Sequence, residues 1–277
     1  MQITVACAAD RAEVRHLVSL VWADDYVAEC WDDWVSHPEN GIPLVARLDG
    51  QVVGVAYVHL LSERVAWLQA LRVHPEIRRN GVGSALAQAA LTHAKARGRQ
   101  VARLLIDAEN HASASMTGQA GFRQVLRLCK LQKADLTTAK GPAVEQPGLE
   151  LLPALLQVAK DHGAEYWHSD WETHDLTLAA LKQAAENGCL RVLRERPTTA
   201  VADVNAFDED YDVNLPVGEP DDLLSLLRGL EAEALGLGKT QIDVFLPEDS
   251  PFLTLLLERG GYRLLEGDGH TIWEYQL

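Results

Sequence analysis

The sequence predicts an α/β protein of two similar halves, each a mixed, largely antiparallel sheet flanked by helices. Three observations carry this. Strand-like runs alternate with amphipathic helical stretches along all 277 residues. The segment 134–148, ADLTTAKGPAVEQPG, has no sustained apolar period and is broken by Gly and Pro, which marks a linker near the midpoint. Residue patterns then recur across that linker: Leu44, Ala56 and Val58 meet Leu190, Ala202 and Val204 at one offset, Trp22–Tyr26 echoes Trp167–Trp171, and Gly121-Phe122-Arg123 echoes Gly261-Tyr262-Arg263. The expected domains are residues 1–133 and 149–277.

In the first half Ile3–Ala6 reads as a short strand, and Asp10 with Glu13 as a capping pair opening a helix to about Val21. A second helix is expected over Tyr26–Val35. Leu44–Leu48 and Val52–Leu61 are β-rich runs around the hairpin signal Asp49-Gly50, and Val65–Val73 is a third antiparallel strand. After a glycine turn comes a helix with Val82, Leu86, Ala89 and Ala90 on one stripe. Val101–Ile106, Ala112–Gln119 and Phe122–Leu131 complete the half as strand, short helix and strand. The second half repeats the theme with helices at Leu151–His162, Leu176–Glu186 and Asp221–Leu235, and another ending at Gly260-Gly261. Its strands are expected at Leu190–Arg194, Thr199–Val204 and Gln241–Leu246.

Hydrophobic residues at 47% and charged residues at 23% suit a globular chain with a real core. No apolar run reaches the ~18 residues of a membrane span and the start lacks a signal-peptide pattern, so the chain reads as cytoplasmic. The net charge of −15 argues against nucleic acid as a partner. That charge is uneven. Residues 1–140 hold 16 basic and 14 acidic side chains, the remainder 9 and 26. The four cysteines are scattered, which speaks against a zinc site or a disulfide framework and for buried small hydrophobes. His168 and His174 lack a third metal ligand and read as solvated, so no metal is expected. Gly236-Leu-Gly-Lys-Thr240 fails as a phosphate loop because Glu233 stands where its first glycine belongs and a strand follows.

The informative stretch is Leu71-Arg-Val-His-Pro-Glu-Ile-Arg-Arg-Asn-Gly-Val-Gly-Ser84. A strand ends, two arginines and two glycines follow, and a helix begins, which makes an anion cradle from backbone N–H groups and the positive end of the helix dipole. Arg78, Arg79, Asn80, Gly81, Val82, Gly83 and Ser84 are the candidate phosphate-binding residues.

Here the sequence resembles the GNAT acyltransferase superfamily, whose Gln/Arg-x-x-Gly-x-Gly/Ala loop is met by Arg78-Arg-Asn-Gly81-Val-Gly83. The later run Asn110-x-x-Ser113-x-x-x-Thr117-x-x-x-Gly121-Phe122 fits the family pattern in part, with Thr117 where many members carry an acidic tyrosine. The resemblance covers the first half, and its finer features, Asp25-Tyr26, Trp31, Trp34 and Leu71-Arg72-Val73, are similar to the histidine N-acetyltransferase-like branch. It implies acetyl-CoA as co-substrate, held by Leu71, Arg72, Val73, the 78–84 turn and Asn110, with the Leu71 N–H facing the thioester oxygen. It places Gln69 where a catalytic glutamate often stands; an amide does not titrate, so Gln69 can orient but not act as base.

If Ser62–Arg64 turn the chain, Tyr57 lies opposite Gln69 and His59 opposite Trp67 on one face of the sheet. His59 is then the candidate base and Tyr57 the candidate proton donor, because an imidazole can pass a proton near neutral pH. Asp24 and Asp25 are the fallback bases. Tyr26, Trp31 and Trp67 are candidate substrate contacts, with core packing as the alternative. In the second half the phosphate loop's place is read as Asp208–Asp222, where carboxylates replace arginines. That half should be a degenerate copy without cofactor, serving as a wall, a homodimer surface, an attractant for a cationic amine, or only an aid to solubility. The expected activity is N-acetylation of a primary amine on a small molecule or amino acid; a protein N-terminus or lysine as acceptor, and a non-catalytic acyl-CoA sensor, are the alternatives.

Overall fold

The computed structural model describes residues 1–207 and 210–277. It forms two compact units: Met1–Ile106, Asn110–Val125 and Ile272–Leu277 make the first, and Asp107–Glu109 with Leu126–Thr271 the second. Among the described residues no helix is long and apolar enough to cross a membrane.

The first unit begins with β1 (Gln2–Val5), α1 (Arg11–Ser19) and α2 (Val27–Ser36). The strands β2 (Gly41–Leu48), β3 (Gln51–His59) and β4 (Val65–Val73) follow as an antiparallel meander. Asp49-Gly50 turns β2 into β3 with both residues at positive φ, as a tight right-twisting hairpin requires. After α3 (Val82–Ala96) come β5 (Val101–Asp107) and α4 (His111–Gln119). Val14, Leu17, Trp31 and Trp34 of α1 and α2 pack on one face of the sheet with Val45, Val55 and Tyr57. On the other, Val82, Leu86, Ala90 and Ala94 of α3 pack with Leu44, Ala56 and Val58. The alternation of β3 thus divides its side chains between two cores.

The second unit holds β6 (Arg123–Ala134) from Leu126 onward, β7 (Val144–Glu145), α5 (Leu152–Asp161), the hairpin β8 (Tyr166–Ser169) and β9 (Glu172–Asp175), and α6 (Leu178–Glu186). Next are β10 (Leu190–Leu193), β11 (Ala200–Ala206), β12 (Tyr211–Gly218), α7 (Pro220–Gly236), β13 (Gln241–Pro247), the short α8 (Phe252–Leu255) continued as a π-turn to Gly260, and β14 (Arg263–Gln276). Its strand order is β14-β6-β13-β12-β11-β10-β7, with β12 and β13 parallel.

Several expectations need correction. The strand read at Phe122–Leu131 runs to Ala134 and lies antiparallel to β13, while the end of β14, for which no strand was expected, lies beside β5 and brings Tyr275 against Phe122. Trp167 lies in β8 and Trp171 in the turn to β9, so the echo of Trp22–Tyr26 falls on a hairpin where the first unit has the loop before α2. Of the recurring residues Ala202 and Val204 keep their places, but Arg191, not Leu190, sits at the position of Leu44, since Leu44 pairs with Ala56 and Arg191 with Ala202. Cys7 is exposed and the other three cysteines are half-buried. His168 and His174 are buried, not solvated. Among the described residues no three His, Cys, Asp or Glu side chains group as metal ligands.

The largest difference concerns 208–222. Tyr211–Gly218 is a fully buried strand, so most of the acidic stretch is sheet, and only Glu219 separates it from α7. Asp208 and Glu209 lie outside the described residues. The second unit therefore has no loop at this junction to carry either sign of charge.

Candidate active site

The site forms where β4 leaves β5. These parallel strands pair at Val65, Ala66 and Trp67 against Val101, Ala102 and Arg103, and the pairing stops there. On its other side β4 carries a bulge. Tyr57 pairs with Gln69 and Val55 with Arg72, so Ala70 and Leu71 face a single residue, and Ala70 takes a φ of 59°, unusual for a residue with a side chain. Bulges re-aim strands beside functional sites. Here it turns Leu71 and Val73 toward the α3 side of the sheet, where both pack.

Beyond Val73 the segment His74–Gly81 leads into α3. Arg79 and Gly81 both have positive φ, 67° and 79°, so successive N–H groups turn to one side. No side chain caps α3, and a Cβ at Gly81 would have nothing within 4 Å. The helix therefore presents its first-turn N–H groups to open space, with Arg78, Arg79 and Asn80 exposed around it. Met116 of α4 closes the cradle's inner side, its Sδ 3.4 Å from where a Cβ at Gly83 would stand, with Val73 and Leu71 next to it. This cradle suits a diphosphate. The Asn110 Oδ1 is committed to capping α4 through the Ser113 N–H at 3.1 Å.

On the opposite face the expected register holds: Tyr57 faces Gln69 and His59 faces Trp67. The Tyr57 ring stacks on Trp34 at 4.1 Å, with His59 6.3 Å further along. Its hydroxyl end reaches the backbone at Gly41, where a Cβ would come within 2.2 Å of Oη, so only glycine leaves room. Tyr26 is 42% exposed, receives a hydrogen bond from the Ala70 backbone, and has a hydroxyl pKa raised by burial of that end. Trp31 and Trp67 are 0% and 2% exposed and belong to the core rather than to a substrate surface, because the amphipathic period of α2 and the inner pairing of β4 turn both inward.

Sequence reasoning missed the roles of Arg72 and Asp25. The Asp25 carboxylate, with no exposed side-chain surface, accepts from Arg72 Nε at 2.6 Å and from the Val27 N–H at 3.1 Å. The guanidinium lies 4.2 Å from the Trp22 ring centroid. This cluster ties the loop between α1 and α2 to the strand just past the bulge, so Asp25 is a structural anion and a poor candidate base. Trp22 four residues from Tyr26 with acids between them was the visible signal. Thr117 is buried at 4% exposure and takes no part in an open site.

A strand that parts from its neighbour beside a bulge, with an uncapped helix end at the tip of the opening, is the architecture of the GNAT acetyltransferases. Residues 11–122 match the model of the Acetyltransferase (GNAT) family. A mycothiol acetyltransferase of Streptomyces coelicolor is 29% identical over 100 residues, 36% of this chain and 30% of that relative. Another from Kytococcus sedentarius is 27% identical over 116 residues, 42% of this chain and 38% of the relative. The match thus spans well under two thirds of these relatives. Across nearly the whole chain the fold is that of a tandem GNAT protein from the clavulanic acid biosynthesis pathway, with a TM-score of 0.65 at 15% identity over 99% of this chain and 98% of that one. A GCN5-related N-acetyltransferase from Sphaerobacter thermophilus gives 0.64 at 14% identity, over 99% and 95%.

Proposed function

We propose that the first unit transfers an acetyl group from acetyl-CoA to a primary amine of a small molecule or amino acid. The observation that carries this is the opening of β4 from β5 at Trp67, with the bulge at Ala70 beside it and the uncapped end of α3 beyond. Arg78, Arg79 and the N–H groups of Gly81–Ser84 would hold the diphosphate, and the strand edge Leu71–Val73 the pantetheine arm. Acetyl-CoA supplies the thioester carbon that the amine attacks.

The chain's own residues must then do three things. The Leu71 N–H, released from regular pairing by the bulge, donates to the carbonyl oxygen as charge develops there. His59 accepts the amine proton, directly or through water, and Gln69 orients the nucleophile. Tyr57, 3% exposed with its hydroxyl against Gly41, would give a proton to the departing thiolate only through ordered water, in place of the tyrosine absent at Thr117. The curated relatives are named for mycothiol rather than for a protein acceptor, which favours a small acceptor here too. A second reading, a non-catalytic acyl-CoA binder, is favoured by Gln69 and by the burial of Thr117.

A panel of small amines with acetyl-CoA, read by mass spectrometry, separates the two. Acetylated product supports transfer, and cofactor binding without product on any amine supports the sensor. His59→Gln and Tyr57→Phe should each lower turnover about 10- to 100-fold with unchanged cofactor affinity. Full activity in both, with the parent's pH profile, would remove them from the mechanism.

A further inference from the structure

The β4 bulge is gripped from the loop between α1 and α2. Ala70, at a φ of 59°, holds a conformation that persists only where its surroundings over-determine it. The bulge leaves Ala70 in the core under α1 and α2, with Leu71 and Val73 against α3. Three contacts then fix the backbone. The Tyr26 hydroxyl accepts from the Ala70 N–H. The Asp25 carboxylate accepts from Arg72 Nε at 2.6 Å and from Nη2 at 3.3 Å, and Nη1 of the same guanidinium donates to the Leu71 carbonyl at 3.4 Å. Asp25 and Tyr26 are neighbours in the chain, so one short segment holds the peptide units on both sides of the one that carries the Leu71 N–H.

The grip is itself fixed in place. Asp25, with no exposed side-chain surface, also accepts from the Val27 N–H at 3.1 Å. Trp22 covers the guanidinium at 4.2 Å, and Tyr26 stands edge-on to Trp34 with 6.1 Å between centroids.

The second unit shows that a bulge of this kind stands without the ion pair. Asp203 pairs with Asn214 and Val201 with Val217, so Leu215 and Pro216 take the places of Ala70 and Leu71, and Val217 that of Arg72. Leu215 keeps a positive φ of 42°. Pro216 has no N–H to aim, and Val217 has no charge to be held. The ion pair thus accompanies the bulge that presents an N–H, not the bulge as such.

We propose, on the reading of the first unit as an acetyl-CoA site, that Asp25 and Tyr26 are positioning residues for acyl transfer: they set the direction of the Leu71 N–H so that it meets the thioester oxygen before charge develops there. A donor already in place needs no reorganisation at the moment of reaction, and a misplacement of about 1 Å costs on the order of 100-fold. Both residues act through the backbone at 70–72, and neither exchanges a proton with the substrate.

The test observes the bound thioester and needs no acceptor. Acetyl-CoA carrying carbon-13 at the acetyl carbonyl is bound to the full chain and its carbonyl resonance is followed by NMR, with coenzyme A affinity measured by calorimetry alongside. A hydrogen bond to the carbonyl oxygen moves that resonance downfield. The parent is compared with Leu71→Pro, with Tyr26→Phe, and with Asp25→Leu combined with Arg72→Met, an apolar pair that leaves no unpaired buried charge. The expected result is a downfield shift in the parent, abolished by Leu71→Pro and at least halved in the other two, with coenzyme A affinity held within about twofold. The apolar pair separates positioning from folding, because a merely structural ion pair replaced in this way would leave the resonance where the parent has it. On any amine the chain acetylates, Tyr26→Phe and the apolar pair should each lose about 10-fold or more in kcat with little change in the KM for acetyl-CoA. A parent shift that Leu71→Pro abolishes and the other two variants keep in full would overturn the positioning role and leave the acetyl-CoA reading standing. A parent that does not bind acetyl-CoA, or whose carbonyl resonance is indifferent to Leu71→Pro, would overturn that reading and the positioning role with it.

Discussion

Two strand-to-helix junctions of the molecule, β4 into α3 and β12 into α7, start from the same bulge and end differently. In the first, His74–Gly81 intervenes, the helix is uncapped, and its first turn carries no acid. In the second, Glu219 alone intervenes, Pro220 occupies the first turn, and Asp221 and Asp222 follow. Asp222 is paired with Arg196 and Asp221 with Arg259 at 2.7 Å. A helix N-terminus attracts anions by default, and the second unit has satisfied that tendency with its own carboxylates. A phosphate cradle needs both the loop that turns N–H groups outward and the vacancy they face, and the second unit has lost both.

The sharpest way to break the comparison is at Gly81. A valine at φ 79° forces a β-branched residue into the left-handed region and places its side chain over the cradle. Acetyl-CoA affinity should fall about 100-fold or more while the thermal midpoint falls little, because nothing packs on that Cβ; calorimetry and circular dichroism check both. Leu71→Pro imports the defect of the second unit into the first. It removes one N–H at the bulge, where proline is tolerated. Turnover should drop about 100- to 1000-fold with cofactor affinity reduced far less, as expected for loss of one oxyanion donor. An equal loss in both would show that Leu71 serves binding alone.

Much of this contrast was legible in the residues and part of it was not. Arg78–Ser84 could be read directly, because glycines between a strand and a helix have few other uses, and the pairing of Tyr57 with Gln69 followed from turn length alone. The strand at Tyr211–Gly218 escaped because Asp212, Asn214 and Pro216 break the apolar pattern that marks a strand. They are tolerated because the side chains of Asp212 and Asn214 meet other polar groups, and proline can sit at a bulge. The return of β14 to the first unit left no local trace, since pairing between residues so distant in sequence is set by the fold and not by composition. Trp31 and Trp34 illustrate a third case: period placed them on one helix face, and only packing shows that Trp31 is core while Trp34 supports Tyr57.

A smaller effect distinguishes the loop anchors. Arg72 and Asp25 form a nearly buried ion pair, whereas the second unit has Val217 in the place of Arg72. Asp25→Asn leaves the guanidinium without its anion and should cost about 3 kcal/mol, read as a fall in the denaturation midpoint. Asp25→Leu combined with Arg72→Met should recover much of that loss, since an apolar pair avoids the desolvation cost. Stability unaltered by Asp25→Asn would mean that Trp22 and Tyr26, not the carboxylate, hold Arg72.

The mildest expected difference is in pH dependence, and it comes from the second unit. Asp212 is pushed up to about 7 by burial and by the neighbouring Asp243 and Asp210, against the opposing pull of Lys130. Asp203 is pushed up to about 7 by burial, despite hydrogen bonds from Ser169, Trp167 and Asn214, and Asp170 adds to the rise. An unfolded aspartate loses its proton near pH 4, so between about pH 4 and about pH 7 the folded chain binds more protons than the unfolded one. The slope of stability against pH is then negative: stability is highest at the acid end of that window and declines as the buried carboxylates ionise. Asp212→Asn removes one of these protons from the balance. Its thermal midpoint relative to the parent should rise from about pH 5 to about pH 8. A midpoint difference that stays constant with pH would show that Asp212 remains ionised throughout, already neutralised by Lys130.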